Sequence, residues 1–126
     1  MFSGVLERHP GVRLVLAEAG LGWVPYITAR MDHEWVKHGD IVGKLATPPS
    51  ELMRRQVWIT FEEEHDADVY IPMIGADRVM WACDYPHPDS TWPDSRAAID
   101  HALGKLGPEA IRKVTGENCR ALYRLP

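Results

Sequence analysis

The chain has few cysteines and no long hydrophobic run, and both shortages restrict the class of protein. Its 126 residues include two cysteines, Cys83 and Cys119, which form no recognisable pairing pattern. Such a pair favours buried thiols in a reducing compartment over a disulfide framework, so we expect a cytoplasmic protein. No apolar stretch approaches the roughly 20 residues that cross a bilayer, and the first residues do not resemble a signal peptide. We therefore expect no membrane partner.

Positive charge is also scarce. The sequence has 14 Lys and Arg against 18 Asp and Glu, which gives a net charge of −4 without any basic cluster. Nucleic-acid binding needs a basic patch to neutralise phosphates, so we expect no nucleic-acid partner. The apolar share of 45% and the charged share of 25% are ordinary for a globular protein. The length suits a single domain over residues 1–126 with one core.

Three short apolar runs predict β-strands, at residues 12–17, 57–61 and 79–83. Helical segments separate them, and the four-residue spacing of Trp23, Ile27, Met31 and Trp35 predicts a helix from near Gly22 to Gly39 whose stripe lies in the core. Further helices are predicted over residues 51–55, 67–74 and 95–106, and from Pro108 onward with a break at Gly116. Strands that alternate with helices indicate βαβ units and a parallel sheet, hence an α/β fold.

Helix boundaries and loops follow from capping residues and from proline. Ser50 and Asp66 are candidate N-caps, and Gly75 is a candidate helix end. The polar segment 40–49, which ends in two prolines, predicts a loop.

Acidic residues follow each predicted strand, and this pattern indicates a site. Glu18 follows the first strand, Glu63 or Glu64 follows the second, and Asp84 follows the third. The carboxyl ends of parallel strands meet at one edge, where active sites of such folds lie. His65 and His87 lie just beyond. Carboxylates and imidazoles placed together can bind a divalent metal or share acid and base work.

Each candidate also has a structural alternative. Asp84 could accept backbone N–H groups of the following turn, and Glu18 could cap the next helix. At least two members of the acidic run 62–64 would be solvated surface. His87, between two prolines, and His65 could be exposed residues without a role. Trp92, in the loop after Asp84, is placed to line a pocket.

Three segments carry a family resemblance: FSGVLERHPGVRLVLAEAGLGWVPYITARMD, VMWACDYPHPDSTWP and EAIRKVTGENCRALYRL. Together they resemble the carboxyl-terminal part of the amidohydrolase-related metal-dependent hydrolases, a group that includes aminocarboxymuconate-semialdehyde decarboxylase. The resemblance covers nearly the whole chain. It implies that the three strands are the last three of a (β/α)8 (TIM) barrel, which is incomplete in this chain.

The resemblance implies roles for individual residues. Asp84 matches the family's metal-binding aspartate, so a divalent metal, with zinc as the first expectation, is the implied cofactor. Glu18 stands where many relatives have a catalytic histidine and would act as ligand or base. His87 belongs to the matched segment and is a third catalytic candidate, while Trp92 would bind substrate. The implied activity is hydrolysis or decarboxylation of a small carboxylated or carbonyl substrate.

Two features depart from the family pattern. The chain contains no His-x-His pair, which relatives carry on their first strand, and it has three strands where a closed barrel needs eight. We therefore expect either a homo-oligomer or a missing amino-terminal part, and the residues after Met1 already read as mid-helix. The alternative function is a non-catalytic α/β assembly module, or a barrel fragment that needs a partner chain.

Overall fold

The sheet of the computed structural model, which describes residues 1–42 and 45–126, contains three parallel strands. These are β1 (Leu14–Leu16), β2 (Val57–Phe61) and β3 (Val79–Trp81), in the order β1-β2-β3. Leu14 lies opposite Val57, and Ile59 lies opposite Val79. The predicted α/β class with parallel strands is confirmed. The outer strands are shorter than predicted because each pairs with a single neighbour over three residues.

The described ranges contain seven α-helices: α1 (Val5–Arg8), α2 (Trp23–Val42), α3 (Pro49–Gln56), α4 (Ala67–Ile74), α5 (Ser95–Leu103), α6 (Pro108–Arg112) and α7 (Asn118–Tyr123). A 3₁₀ turn (Ala76–Arg78) precedes β3, and a π-helical turn (Lys113–Glu117) joins α6 to α7. Gly116 lies in that π turn. The helical path is therefore wider at the position where the sequence predicts a break. None of the helices in these ranges is long and apolar enough to cross a bilayer.

Several predicted boundaries are wrong by a few residues. α2 is kinked at His38, whose backbone is non-helical, next to the predicted stop at Gly39, and helical geometry resumes beyond the kink to Val42. Residues 43–44 of the predicted loop lie outside the described part of the chain. α3 begins at Pro49, so Ser50 lies inside its first turn and does not cap it. Asp66 occupies the N-cap position of α4 without a capping side-chain bond, whereas Gly75 does end that helix.

The core lies on the side of the sheet that the helices cover. Successive strand residues face opposite sides, so Val57, Ile59 and Phe61 point toward the helices, and all three are buried. They pack with apolar side chains of the helices and of the turn before α2, among them Leu21, Val24, Leu52, Ile71 and Leu103. The opposite side of the sheet carries Trp58, Thr60 and Met80.

The predicted tryptophan stripe on α2 belongs to the core only in part. Met31 and Trp35 pack against the core cluster. Trp23 is 39% exposed, and its indole N–H donates to the carbonyl of Ala19 at 2.8 Å. Val24, one position along, takes the buried place at the start of the helix.

Two buried amides hold the edges of the sheet. The Gln56 amide nitrogen donates to the carbonyls of His9 and Val12, just before β1, at 3.0 and 3.1 Å. The Asn118 amide nitrogen donates to the carbonyls of Ala76 and Val79 at 2.6 and 2.8 Å. The two side chains therefore satisfy main-chain groups beside strands that have only one neighbour.

A carboxylate from the turn after β2 fixes the start of α2. The two oxygens of Glu64 accept the N–H groups of Leu21 and Gly22, each at 2.7 Å. A helix begins with unsatisfied N–H groups and a partial positive charge, both of which a carboxylate compensates. A side chain at Gly22 would meet the Glu64 carboxylate at 3.2 Å and the Tyr70 ring at 3.3 Å, so glycine allows this close approach.

We predict that Glu64→Ala lowers the free energy of unfolding by about 1–3 kcal/mol, because two part-buried N–H groups lose a charged acceptor. Urea denaturation of both proteins measures the difference. The matched control is Glu63→Ala, since Glu63 is exposed and should change stability by less than about 0.5 kcal/mol. Equal losses in the two variants would contradict the structural role assigned to Glu64.

Candidate functional site

Acidic side chains from all three strand ends surround one cleft at the carboxyl edge of the sheet. The cleft has a volume of about 340 Å³ and is lined by Glu18, Gly20, Phe61, Glu62, Glu63, Glu64 and Asp89. Glu18 follows β1, Glu62 directly follows β2, and Asp89 belongs to the loop after β3. The expected meeting of strand ends at one edge is therefore present.

Glu18 leaves its strand in an unusual backbone conformation. Its φ is 52°, in the left-handed region, and its N–H donates to the Thr60 hydroxyl at 2.8 Å. A non-glycine residue in this region costs roughly 1–2 kcal/mol. Neighbouring main-chain bonds, from the N–H groups of Ala19 and Gly20 to the Thr60 carbonyl, hold the turn in place. The side chain of Glu18 is consequently presented at the edge and is exposed.

Asp84 repeats this arrangement after β3. Its φ is 55°, and its side chain is only 19% exposed. One carboxylate oxygen lies 3.2 Å from Nδ1 of His87, whose side chain is 62% exposed. The structure thus brings together two of the site residues that the sequence predicts. The Asp84 carboxylate is largely shielded from solvent, and the His87 imidazole is exposed.

The loop after Asp84 is closed mainly on the carbonyl of Cys83. This carbonyl accepts the Ser90 hydroxyl at 2.7 Å and the Thr91 N–H at 3.1 Å. The peptide bonds before Pro86 and Pro93 are cis. Trp92 is 63% exposed and lies against Tyr85 with ring centroids 5.8 Å apart, so its role in substrate binding stays a prediction.

Glu62 and Asp89 are the acidic members of the cleft that sequence reasoning missed. Burial, followed by repulsion from Asp84, Glu18 and Asp89, raises the pKa of the Glu62 carboxyl above its usual value. Glu18, Glu62 and Asp89 line the same cleft, and Asp84 follows the neighbouring strand β3. The signal in the sequence was strand parity, because Glu62 is two residues after Thr60 and so continues the side of the sheet opposite the helices.

The other acidic and imidazole candidates have different surroundings. Glu63 is exposed, and Glu64 is committed to the start of α2. Nδ1 of His65 lies 3.1 Å from Nε2 of His101 of α5, and His65 does not line the cleft. The expectation that two members of the acidic run are plain surface fits Glu63 alone.

Carboxylate and imidazole groups are suitable ligands for a divalent metal, but few of those in the described residues converge on one point. Among residues 1–42 and 45–126, no three His, Cys, Asp or Glu side chains converge closely enough to hold an ion. A structural zinc site needs four ligands, and a catalytic one needs about three from the protein. This part of the chain therefore does not by itself present a complete metal-ligand set.

We predict that Glu62→Gln raises the melting temperature of chelator-treated protein at pH 7 by about 1–3 °C, because the variant removes one of several repelling charges. The raised pKa of Glu62 means that the folded state loses stability as pH rises through that pKa. The gain should therefore vanish as pH falls toward 4, where the glutamate is increasingly protonated.

Thermal unfolding at both pH values measures this effect, with Glu63→Gln as the exposed control. A lower melting temperature for Glu62→Gln at pH 7 would show that the carboxylate is stabilised by its surroundings.

Comparisons with known proteins agree with the α/β fold described above. A family model described as Amidohydrolase matches residues 1–125. Gamma-resorcylate decarboxylase of Rhizobium sp. is 27% identical over 143 aligned positions, which cover 99% of this chain and 38% of the relative.

Solved structures show the same partial match. The 5-carboxyvanillate decarboxylase of Sphingomonas paucimobilis has a TM-score of 0.83 at 29% identity, with 99% of this chain and 37% of that chain covered. A dihydroxybenzoic acid decarboxylase of Polaromonas sp., solved with manganese and 2-nitroresorcinol, has a TM-score of 0.77. Its 19% identity, over 98% of this chain and 37% of that one, shows the fold alone.

The chain spans less than two fifths of the length of these relatives, although nearly all of it is matched. The match to the family model extends over residues 1–125, and the three parallel βα units superpose on members of the family with acidic residues at their carboxyl ends. The chain belongs to the amidohydrolase family.

Proposed function

We propose that this chain forms the last three strands of a (β/α)8 barrel and contributes the acidic half of a metal-dependent decarboxylase site for a small carboxylated aromatic acid. The observation that carries the proposal is the convergence of Glu18, Glu62, Asp84 and Asp89 at one edge of the sheet. The relatives are named as decarboxylases of carboxylated aromatic compounds, and these names favour decarboxylation over hydrolysis.

Electrostatics explains why such a site would need a cation. Four neighbouring carboxylates repel an anionic substrate, and in the described ranges the ion pair that they form is the one between Asp84 and His87. A divalent ion neutralises carboxylates and attracts a substrate carboxylate at the same time. The manganese of the Polaromonas relative makes Mn²⁺ a first ion to test beside the zinc expected from the sequence.

The burial and contacts of each acidic residue suggest which role it would have in the proposed reaction. Asp84, which is largely shielded, would be the metal ligand, and Glu18 would assist as a further ligand or as a base. His87 orients the Asp84 carboxylate through the 3.2 Å contact. Decarboxylation leaves a carbon that must receive a proton, and Glu62, whose pKa is raised, is suited to hold that proton before transfer.

Further ligands would have to come from strands outside these 126 residues. Barrel closure requires eight strands, and β1 and β3 each have one free edge in the present sheet. The short share of the relatives that the chain covers, 37–38%, agrees with this proposal. Added strands would pair with both free edges and enclose the cleft.

We predict that Asp84→Asn weakens Mn²⁺ binding by about tenfold or more, because it removes the charged oxygen of the most shielded ligand. The free-ion signal in electron paramagnetic resonance, recorded during Mn²⁺ titration of chelator-treated protein, measures the affinity. Asp94→Asn, at the exposed start of α5, is the control that keeps the same net charge. Equal affinity in both variants would show that Asp84 is not a ligand.

A second candidate function is the non-catalytic assembly module, and the free edge of β1 supports it. Val12 and Leu14 are 43% and 42% exposed beside this edge. Exposed apolar residues beside an unpaired strand edge favour pairing with another chain.

We predict that the 126-residue chain self-associates, and that Leu14→Lys shifts it toward the monomer because a charge beside the edge opposes strand pairing. Sedimentation velocity at several concentrations measures the size distribution. The control is Val36→Lys, on α2, where the native side chain is 78% exposed. A monomer in the unsubstituted chain at all concentrations would exclude the assembly function.

A further inference from the structure

Two histidines outside the acidic cleft lie in direct contact. His65 follows Glu64 in the turn after β2, and His101 lies in the last turn of α5. Nδ1 of His65 and Nε2 of His101 are 3.1 Å apart, with ring planes at 83° and centroids 5.3 Å apart. Both residues are exposed, so a dissolved ion can reach the two nitrogens directly.

Neither imidazole is oriented by a carboxylate. In residues 1–42 and 45–126, the ion pairs that involve histidine are those of His38 with Glu34 and of His87 with Asp84. A hydrogen bond between exposed imidazoles contributes little to stability, because water offers each nitrogen an equivalent partner. The contact therefore places two potential metal-ligand nitrogens together, and the weak hydrogen bond between them does not prevent either from binding an ion.

The separation of the two nitrogens is close to that of a chelate. A tetrahedral ion with bonds of about 2.0–2.1 Å to imidazole nitrogens holds two of them roughly 3.3 Å apart. The 3.1 Å contact needs only small side-chain rotations to reach this distance. Such rotations are open to exposed side chains, which flip between rotamers freely.

The surroundings leave room for the ion and its remaining ligands. A cleft of about 280 Å³ adjoins the pair and is lined by Glu63, Glu64, His65, Ala98, His101 and Ala102. Alanine is the small side chain that α5 presents there. Glu63 is exposed and can approach an ion, whereas Glu64 is held by two N–H groups at 2.7 Å. Water would fill the other coordination positions.

We propose that His65 and His101 form a second metal site, which takes a borderline transition-metal ion such as Zn²⁺ and joins the turn after β2 to α5. Imidazole pairs prefer Zn²⁺, Cu²⁺ and Ni²⁺, whereas Mn²⁺ and Mg²⁺ prefer oxygen ligands. Mn²⁺, a first ion to test at the carboxylates of the cleft, is of a harder class than the ion proposed here, and the two sites use no common ligand. The site does not depend on the proposed decarboxylase function.

The test is a Zn²⁺ titration of chelator-treated protein by isothermal calorimetry, with thermal unfolding in parallel. We expect one site, a rise in melting temperature on Zn²⁺ addition, and a loss of affinity of about tenfold or more in His65→Ala and in His101→Ala. His33→Ala removes an exposed histidine of α2 and should bind Zn²⁺ like the unsubstituted chain. The variants His65→Gln and His101→Gln keep polar side chains and replace the alanine variants if those unfold.

Nitrogen NMR of the imidazoles gives a second readout. Zn²⁺ should shift Nδ1 of His65 and Nε2 of His101, and Mn²⁺ at equal concentration should not occupy this pair. Unchanged affinity in both histidine variants would overturn the proposal. So would a Zn²⁺ site that survives in them but disappears in Asp84→Asn, because the ion would then lie at the carboxylates.

Discussion

The carboxylate of Glu64 connects the two turns on which the candidate site depends. It belongs to the turn after β2 and binds the N–H groups of Leu21 and Gly22, which end the turn after β1. This contact sets the direction of α2 and lets Val24 enter the core. It also fixes two acidic residues of the cleft, because Glu62 lies two residues before Glu64 and Glu18 three before Leu21. A side chain at Gly22 would obstruct the contact, so the geometry of the edge rests on one carboxylate and one glycine.

The residues at the carboxyl edge of the sheet are arranged in a way that lowers the stability of the fold. Glu18 and Asp84 both have left-handed backbone conformations, and Glu62 is half-buried among other carboxylates that raise its pKa. The structural alternatives for Glu18 and Asp84 are weakened by where their partners lie. Glu64, not Glu18, satisfies the start of α2. The Asp84 carboxylate contacts the His87 ring, while the following turn closes on the main-chain carbonyls of Cys83 and Asp84. Strain and like charge placed together at strand ends are typical of functional sites.

Much of the fold could be predicted from sequence because the responsible signals are local. Apolar runs gave the three strands, and Gly75 gave the end of α4. The site was predicted where one acid followed one strand, as for Glu18 and Asp84. It was missed in the run 62–64, because three adjacent glutamates resemble a solvated charge run and only strand parity, counted from Thr60, distinguishes Glu62. Glu64, Gln56 and Asn118 act on residues 39 to 47 positions away in sequence, and no local pattern encodes such partners.

Donor chemistry separates the two places where this chain could hold an ion. The cleft offers mainly carboxylate oxygens, and the imidazole of His87 is engaged with Asp84. The pair of His65 and His101 offers nitrogen donors. A hard ion and a borderline ion would therefore occupy different places in one molecule. The pair is next to the turn that fixes the start of α2, because His65 follows Glu64 in the chain. If an ion at the pair orders this turn and so strengthens binding at the cleft, thermodynamic reciprocity requires that binding at the cleft strengthen binding at the pair by the same factor.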